Sequence, residues 1–286
     1  MRLTLFFIHL CLFIISFFLI NKYAFLPPKY FTGWLNRFEQ AESKDPDLCI
    51  YDIRKFFHLA ADCNPNVIEM LFVDESDILQ ISPLGERMRH FRKQFLSKKA
   101  QYTYSGYAIA QLKRIKTHKK WLLNPPTHKP ERAEFDLPDT SLLSVDIIGA
   151  IESLETKNTP MNFSSEVMEV YKKERSYHNA LREWQQYENW KKTRNPKRAA
   201  IEARHGYDCK HAMHLVRLMR MCEEILTTGE VIVKRPDREE LLAIRNGAWT
   251  YDELMSWAEI QDARLKKLAS ESSLPHSPDR VYLDII

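Results

Sequence analysis

Lys210, His214 and Arg217 stand four and three residues apart in the stretch CKHAMHLVRLMR, a spacing that brings all of them to one face of an α-helix. An ammonium, an imidazole and a guanidinium in a row suit an anion such as a phosphate group. The alternative is a solvated basic face whose repeat serves no ligand. Leu215, Leu218, Cys222 and Ile225 fall on another side, so the same helix has a stripe to bury. Asp208 is a natural N-cap for it. His211 and His214 also form an H-x-x-H pair. No third ligand stands at matching spacing, so packing or a bond to a neighbouring carbonyl is the expectation for His211.

A second set of chemical groups lies upstream. From Arg87 to Lys120 there is no acidic residue, while Lys113, Lys116 and Lys120 join eight other lysines and arginines. Phe91, Phe95, Tyr102, Tyr104 and Tyr107 are interleaved with them. Cations that track phosphates, with rings that stack on bases, suit a polynucleotide such as RNA. The competing explanation is that Phe91, Phe95, Ile109 and Leu112 are the core faces of two helices.

The elements that position these groups read as mainly helical. Seven glycines among 286 residues, with long Leu-, Glu-, Lys-, Arg- and Ala-rich stretches, favour helices. Residues 47–51 form a short strand rich in β-formers, after which Asp52 caps a helix over 53–63 that stops at Asn64-Pro65. Ser82-Pro83 opens another helix. Residues 121–139, punctuated by Pro125, Pro126, Pro130 and Pro138, read as a long connection. Helices follow over 142–154 and 166–192, with Trp184, Tyr187 and Trp190 packing rather than stacking on bases. After the Lys210 helix come a strand at 230–234, a helix opened by Pro236 and closed by Asn246-Gly247, and a capping box of Thr250 and Glu253 before a helix over 251–269. Residues 274–286 are a short tail.

Apolar content of 44%, charged content of 28% and a net charge of +4 are ordinary for a globular chain. Five cysteines without a C-x-x-C pair define neither a zinc site nor a disulfide framework, so a reducing compartment is the expectation. The N-terminus contrasts with the body. Residues 3–20 are almost purely apolar, about long enough for a transmembrane helix of on the order of 20 residues. No small-x-small cleavage site follows. Lys22, Lys29 and Arg37 then place the body on the cytoplasmic side.

Five blocks in order carry a resemblance: PPKYFTGWLNRFEQ (27–40), DLCIYDIRKFFHLAADCNPNVIEMLF (47–72), WLLNPPTHKP (121–130), the stretch 206–247, and LPHSPDR (274–280). Together they resemble the DNA polymerase beta superfamily nucleotidyltransferases of the RNA-repair-associated type, from about Phe25 onward. The resemblance implies an α+β, mostly helical protein with a partial nucleotidyltransferase core. It divides the chain into an apolar segment (1–24), a core remnant with basic helices (25–122), a linker and helical insertion (123–200) and a helical C-terminal region (201–286). The implied reaction is Mg²⁺-dependent transfer of a nucleotidyl group from a nucleoside triphosphate to an acceptor such as an RNA end. Lys210, His214 and Arg217 match the K-x-x-x-H-x-x-R stretch expected to meet the triphosphate, where cations would offset charge moving to the leaving pyrophosphate.

The same resemblance exposes a departure. A two-metal centre needs bridging carboxylates to clamp attacking and leaving oxygens, and this type carries two of them in a Gly-Ser and D-x-D unit shortly before the Pro-Pro block. Here no glycine is followed by serine and the first carboxylate is Glu39. The one D-x-D, Asp45-Pro46-Asp47, has a proline at its centre and makes a poor strand. By resemblance Asp47 is the third, metal-binding catalytic carboxylate. Asp52 is the alternative, though a helix cap explains it without a metal, and Asp47 also reads as a plain loop acid. The expectation is a truncated or frame-shifted start. The competing reading is a membrane-anchored relative that binds nucleotide or RNA without catalysis.

Overall fold

A computed structural model describes residues 23–26, 40–44, 47–157 and 163–283. The apolar stretch 3–20, and the membrane anchor expected of it, lie outside them, as does most of the Pro27-Pro28 block. Among the described residues no helix is long and apolar enough to cross a membrane.

The strand expected at 47–51 is the centre of a three-stranded sheet. β1 (Tyr23–Leu26) runs parallel to β3 (Asp47–Asp52), with Tyr23 opposite Cys49 and Leu26 opposite Asp52. β2 (Gln40–Lys44) pairs with β3 antiparallel, with Gln40 opposite Tyr51 and Lys44 opposite Asp47. Cys49 and Tyr51 are buried. Strands β1 and β2 escape the sequence reading because neither shows a marked apolar alternation; Gln-Ala-Glu-Ser-Lys is polar nearly throughout.

Asp52 ends the sheet and caps α1 (Ile53–Ala61), its carboxylate accepting from the Arg54 amide at 2.8 Å. The helix then breaks as expected: Asp62 closes it and Cys63 adopts a left-handed φ of 52°. Asn64 at once caps α2 (Pro65–Phe72), a helix not anticipated from the sequence, with proline in its first turn. Val67, Ile68, Met70 and Leu71 go into the core. Ser82 caps α3 (Pro83–His90) through a bond from the Gly85 amide. A 3-10 turn at Arg92–Phe95 leads to the long α4 (Lys99–Leu123). Ala100, Tyr104, Ala108 and Ile115 form its buried stripe. Ile109, expected to share in the core, is 46% exposed instead.

The chain divides into two compact units, one made of the residues up to Lys116 together with those from Asp208 on, the other of Thr117–Tyr207. In the second unit, the last turn of α4 reaches past the expected boundary at residue 121 because Trp121 is buried. Its ring lies 5.8 Å from Tyr187 and 5.3 Å from Trp190. Those two rings stand on α6 (Ser165–Thr193), whose aromatic triplet packs as expected. Before it, α5 (Val145–Thr156) sets Ile148 and Ile151 against Tyr171. Buried Glu174 holds the irregular stretch ahead of α5 by accepting from Arg132 at 2.6 and 3.1 Å, Ser141 Oγ at 3.1 Å and the Leu142 amide at 3.0 Å. A short α7 (Pro196–His205) closes with Gly206 at a φ of 74°, a left-handed cap.

In the first unit, Asp208 caps α8 (Cys209–Thr228) as expected, accepting from the His211 amide at 3.1 Å. The strand expected at 230–234 is absent. Val231–Val233 have the composition of a strand but pair with no strand among the described residues, and composition counts for little without a partner. An arginine network holds the stretch: Arg235 reaches Glu224 at 2.5 Å and Asp237 at 2.8 Å. α9 (Arg238–Arg245) starts two residues beyond Pro236, and Asn246-Gly247 ends it as expected. The Thr250–Glu253 capping box opens α10 (Tyr251–Glu271). Leu254, Ala258 and Leu265 are its buried side, and Gln261 donates to Glu223 of α8 at 2.5 Å. The tail carries a last short helix, α11 (Arg280–Leu283).

Candidate nucleotide and nucleic-acid site

α8 brings the three predicted phosphate-binding residues to one face while Cys209, Ala212, Leu215, Val216, Met219, Cys222 and Ile225 are buried on another. Lys210 is exposed, and His214 is half-buried. Both interact with other groups of the protein. Arg217 is half-buried and has a specific partner, Glu69 of α2, to which it donates a short charge-assisted hydrogen bond. Burial pushes the Glu69 carboxyl above its ordinary range, and the opposing pull of Arg217 and, more weakly, Arg235 does not cancel this. Tyr104 of α4 senses the same neighbourhood. Its phenol is pushed well above the ordinary range by burial first and by Glu69 second, and among the described residues its hydroxyl makes no hydrogen bond.

Of the H-x-x-H pair, His211 lies at the helix start with its Nε2 3.5 Å from the Asp208 carboxylate. Cys49, Cys63, Cys209 and Cys222 are buried, and none of these four is in a disulfide. Burial raises the thiols of Cys63 and Cys222, which makes them poor thiolates.

The predicted nucleic-acid contacts lie along α4. Lys113 and Lys116 are exposed, and among the described residues neither is in an ion pair. Lys120, beyond them in the second unit, is tied to Glu183 at 2.5 Å. The tyrosines separate by environment. Tyr104 is buried, Tyr107 accepts a bond from Asn64 at 2.8 Å, and Tyr102 is 71% exposed.

Asp47 opens β3 opposite Lys44, and Asp45 and Pro46 lie outside the described residues. Asp52 is buried, and its carboxylate is committed to the Arg54 amide at 2.8 Å and the Arg54 guanidinium at 3.3 Å. The neighbouring strand β1, Tyr-Ala-Phe-Leu, carries no carboxylate. A two-magnesium centre needs several acids with open lone pairs converging on one point. The described strands do not supply that donor set.

Residues 35–129 match the model of the RNA repair pathway DNA polymerase beta family, a nucleotidyltransferase-type family. The match takes in β2, β3, α1, α2, α3 and all of α4. The likeness read from the blocks at 47–72 and 121–130 therefore stands over this part of the chain. Lys210, His214 and Arg217 lie outside it. No curated protein and no solved structure matches the chain.

Glu69 and the exposure of Tyr102 are not among the sequence expectations. The partner of Arg217 is 148 residues away in the chain, and no local signal points to it. Tyr102 could have been separated from Tyr104 by helical phase once Ala100, Ala108 and Ile115 were placed on the buried side.

Proposed function

We propose that this protein handles nucleoside triphosphate and RNA as a nucleotidyltransferase-type protein. The reaction is transfer of a nucleotidyl group to an acceptor such as an RNA end, with pyrophosphate leaving. The match over residues 35–129 is the observation that carries the reading. Lys210 and Arg217 would neutralise triphosphate charge, His214 would donate a hydrogen bond to a phosphate oxygen, and Lys113 and Lys116 would track RNA phosphates. Mg²⁺ would supply the charge stabilisation that such transfer needs. The resemblance assigns Asp47 to it, and the described strands lack the further acids that a two-metal centre needs.

The test is transfer from a labelled nucleoside triphosphate to RNA, with Mg²⁺ present and absent. Transfer that is abolished in Asp47→Ala and weakened in Lys210→Ala supports the assignment; activity that survives both substitutions removes these residues from the site.

A second reading, binding of nucleotide or RNA without transfer, is favoured by one observation. Asp52 serves as a helix cap and β1 has no acid, so the sheet is poorly equipped for two metals. This reading predicts retained binding of the labelled triphosphate, lost in Lys210→Ala, with no product under any divalent cation. Anchoring through residues 3–20 is compatible with it.

A further inference from the structure

We infer that the outer stripe of α4 is a ridge for single-stranded RNA, with Tyr102 as the platform on which an unpaired base stacks. The inference rests on the RNA reading above and adds the strandedness of the ligand and the residues that touch it. Tyr102, Gly106, Ile109, Lys113 and Lys116 recur at alternating spacings of four and three, so they line one face of the helix over about 21 Å. That face lies opposite the buried stripe of Ala100, Tyr104, Ala108 and Ile115.

Three observations point to the ligand. Tyr102 is the most exposed aromatic ring among the described residues, at 71%, and Ile109 one face-step beyond Gly106 is 46% exposed. Lys113 and Lys116, with the adjacent Arg114, have no ionic partner among the described residues, and the whole segment 87–120 lacks an acid. Gly106 lies in the helix interior, and a Cβ there would meet no atom within 4 Å. Glycine in a helix is unfavourable relative to alanine, yet no packing contact within the protein demands it. It leaves a bare patch of backbone between the tyrosine ring and Ile109, where a sugar-phosphate can approach closely.

Aromatic ring, gap and lysines in sequence are the parts of a single-strand site: a ring that takes any base face and cations that follow the phosphates. A duplex keeps its bases stacked on one another and offers the ring nothing. An acidic polypeptide would answer to the lysines but not to the exposed ring and the gap together.

The test is binding of labelled oligouridine to the full-length protein by fluorescence anisotropy, with an RNA duplex and polyglutamate as competitors. Tyr102→Ala is expected to weaken oligouridine binding about tenfold, since stacking dominates such contacts, and Tyr102→Phe to stay within about twofold. Gly106→Leu fills the gap with a good helix former. It should weaken binding to a similar degree without lowering the melting temperature, which separates occlusion from misfolding. Unchanged affinity in both Tyr102→Ala and Gly106→Leu, with the parent protein still binding oligouridine, would overturn the ridge and leave the RNA reading standing. A parent that binds no oligouridine at all removes both. A duplex or polyglutamate that competes as well as oligouridine, with the same sensitivity to Tyr102→Ala, also overturns the ridge.

Discussion

At the scale of residues, the ion pair between Glu69 and Arg217 bears directly on the phosphate site proposed on α8. A phosphate arriving at Arg217 competes with a carboxylate already there. Glu69→Gln removes the competitor and keeps the shape, so triphosphate affinity should rise about fivefold, a modest fraction of a close charge pair in a partly solvated site. Titration calorimetry reads this directly, and unchanged affinity would mean that phosphate does not reach Arg217. The pH dependence has a definite sign. The folded-state pKa of Glu69 is raised, by burial first, so its contribution to stability is fully present below the unfolded value and is lost as pH rises through the folded one. Over that window, falling pH protonates Glu69, releases Arg217 and tightens binding. The part of the pH slope that disappears in Glu69→Gln belongs to Glu69. Tyr104→Phe, next to this pair, removes a buried hydroxyl without a hydrogen bond and should leave stability unchanged or raise it by up to about 1 kcal/mol, as measured by thermal melting. None of this pairing is legible from spacing, because an ion pair between helices far apart in the chain depends on how the core assembles. The cationic row on α8 is legible, because it rests on helical period alone.

At the scale of elements, the ends of helices were easier to read than the strands. Asp52, Ser82, Asp208 and the Thr250–Glu253 box each cap the helix expected of them, since a cap is a local bargain between one side chain and the next turn's amides. Strands depend on a partner, which explains both failures: polar β2 pairs with β3, and Val231–Val233 pair with no strand among the described residues. That irregular segment is held by Arg235, Glu224, Asp237, Arg220 and Glu240. Arg220 bonds Asp237 at 2.8 Å and Glu240 at 2.7 Å, joining α8 to α9. Arg235 is nearly buried, and its loss would leave Glu224 without its cation and Asp237 with Arg220 alone. Arg235→Met should therefore cost about 3 kcal/mol in denaturant unfolding. A cost below about 0.5 kcal/mol, the ordinary range for surface changes, would mean that the network does not hold the segment. On α4 the direction reverses: Gly106→Ala should add roughly 0.5–1 kcal/mol to stability, because the helix gains propensity and the methyl group meets no atom.

At the scale of the whole molecule, the unit formed by Thr117–Tyr207 depends on a buried charge in a way that can be titrated. Its helices read clearly from composition, but the role of Glu174 was hidden, because the residue sits in a charge-rich run, KKER, that looks solvated throughout. In the fold its side chain is fully buried and gathers Arg132, Ser141 and the Leu142 amide. Burial alone would raise its carboxyl. The Arg132 bond, the Leu142 amide and the Ser141 hydroxyl outweigh that, and the net shift is downward. A depressed folded-state pKa gives stability that is fully present above the unfolded value of about 4.3 and is lost as pH falls from there through the folded value. The unit carries its own reporter, since Trp121, Trp184 and Trp190 cluster with Tyr187 inside it. Acid titration followed by tryptophan emission should show that cluster opening as pH falls below the ordinary carboxylate range. Glu174→Gln cannot ionise and leaves Arg132 unneutralised, so it should cost about 3 kcal/mol at neutral pH. It should also flatten the acid limb of the stability curve, because the proton uptake that drives the transition is gone. An acid limb of equal steepness in both proteins would show that other carboxylates govern the transition and that Glu174 is not what ties this unit's fold to pH.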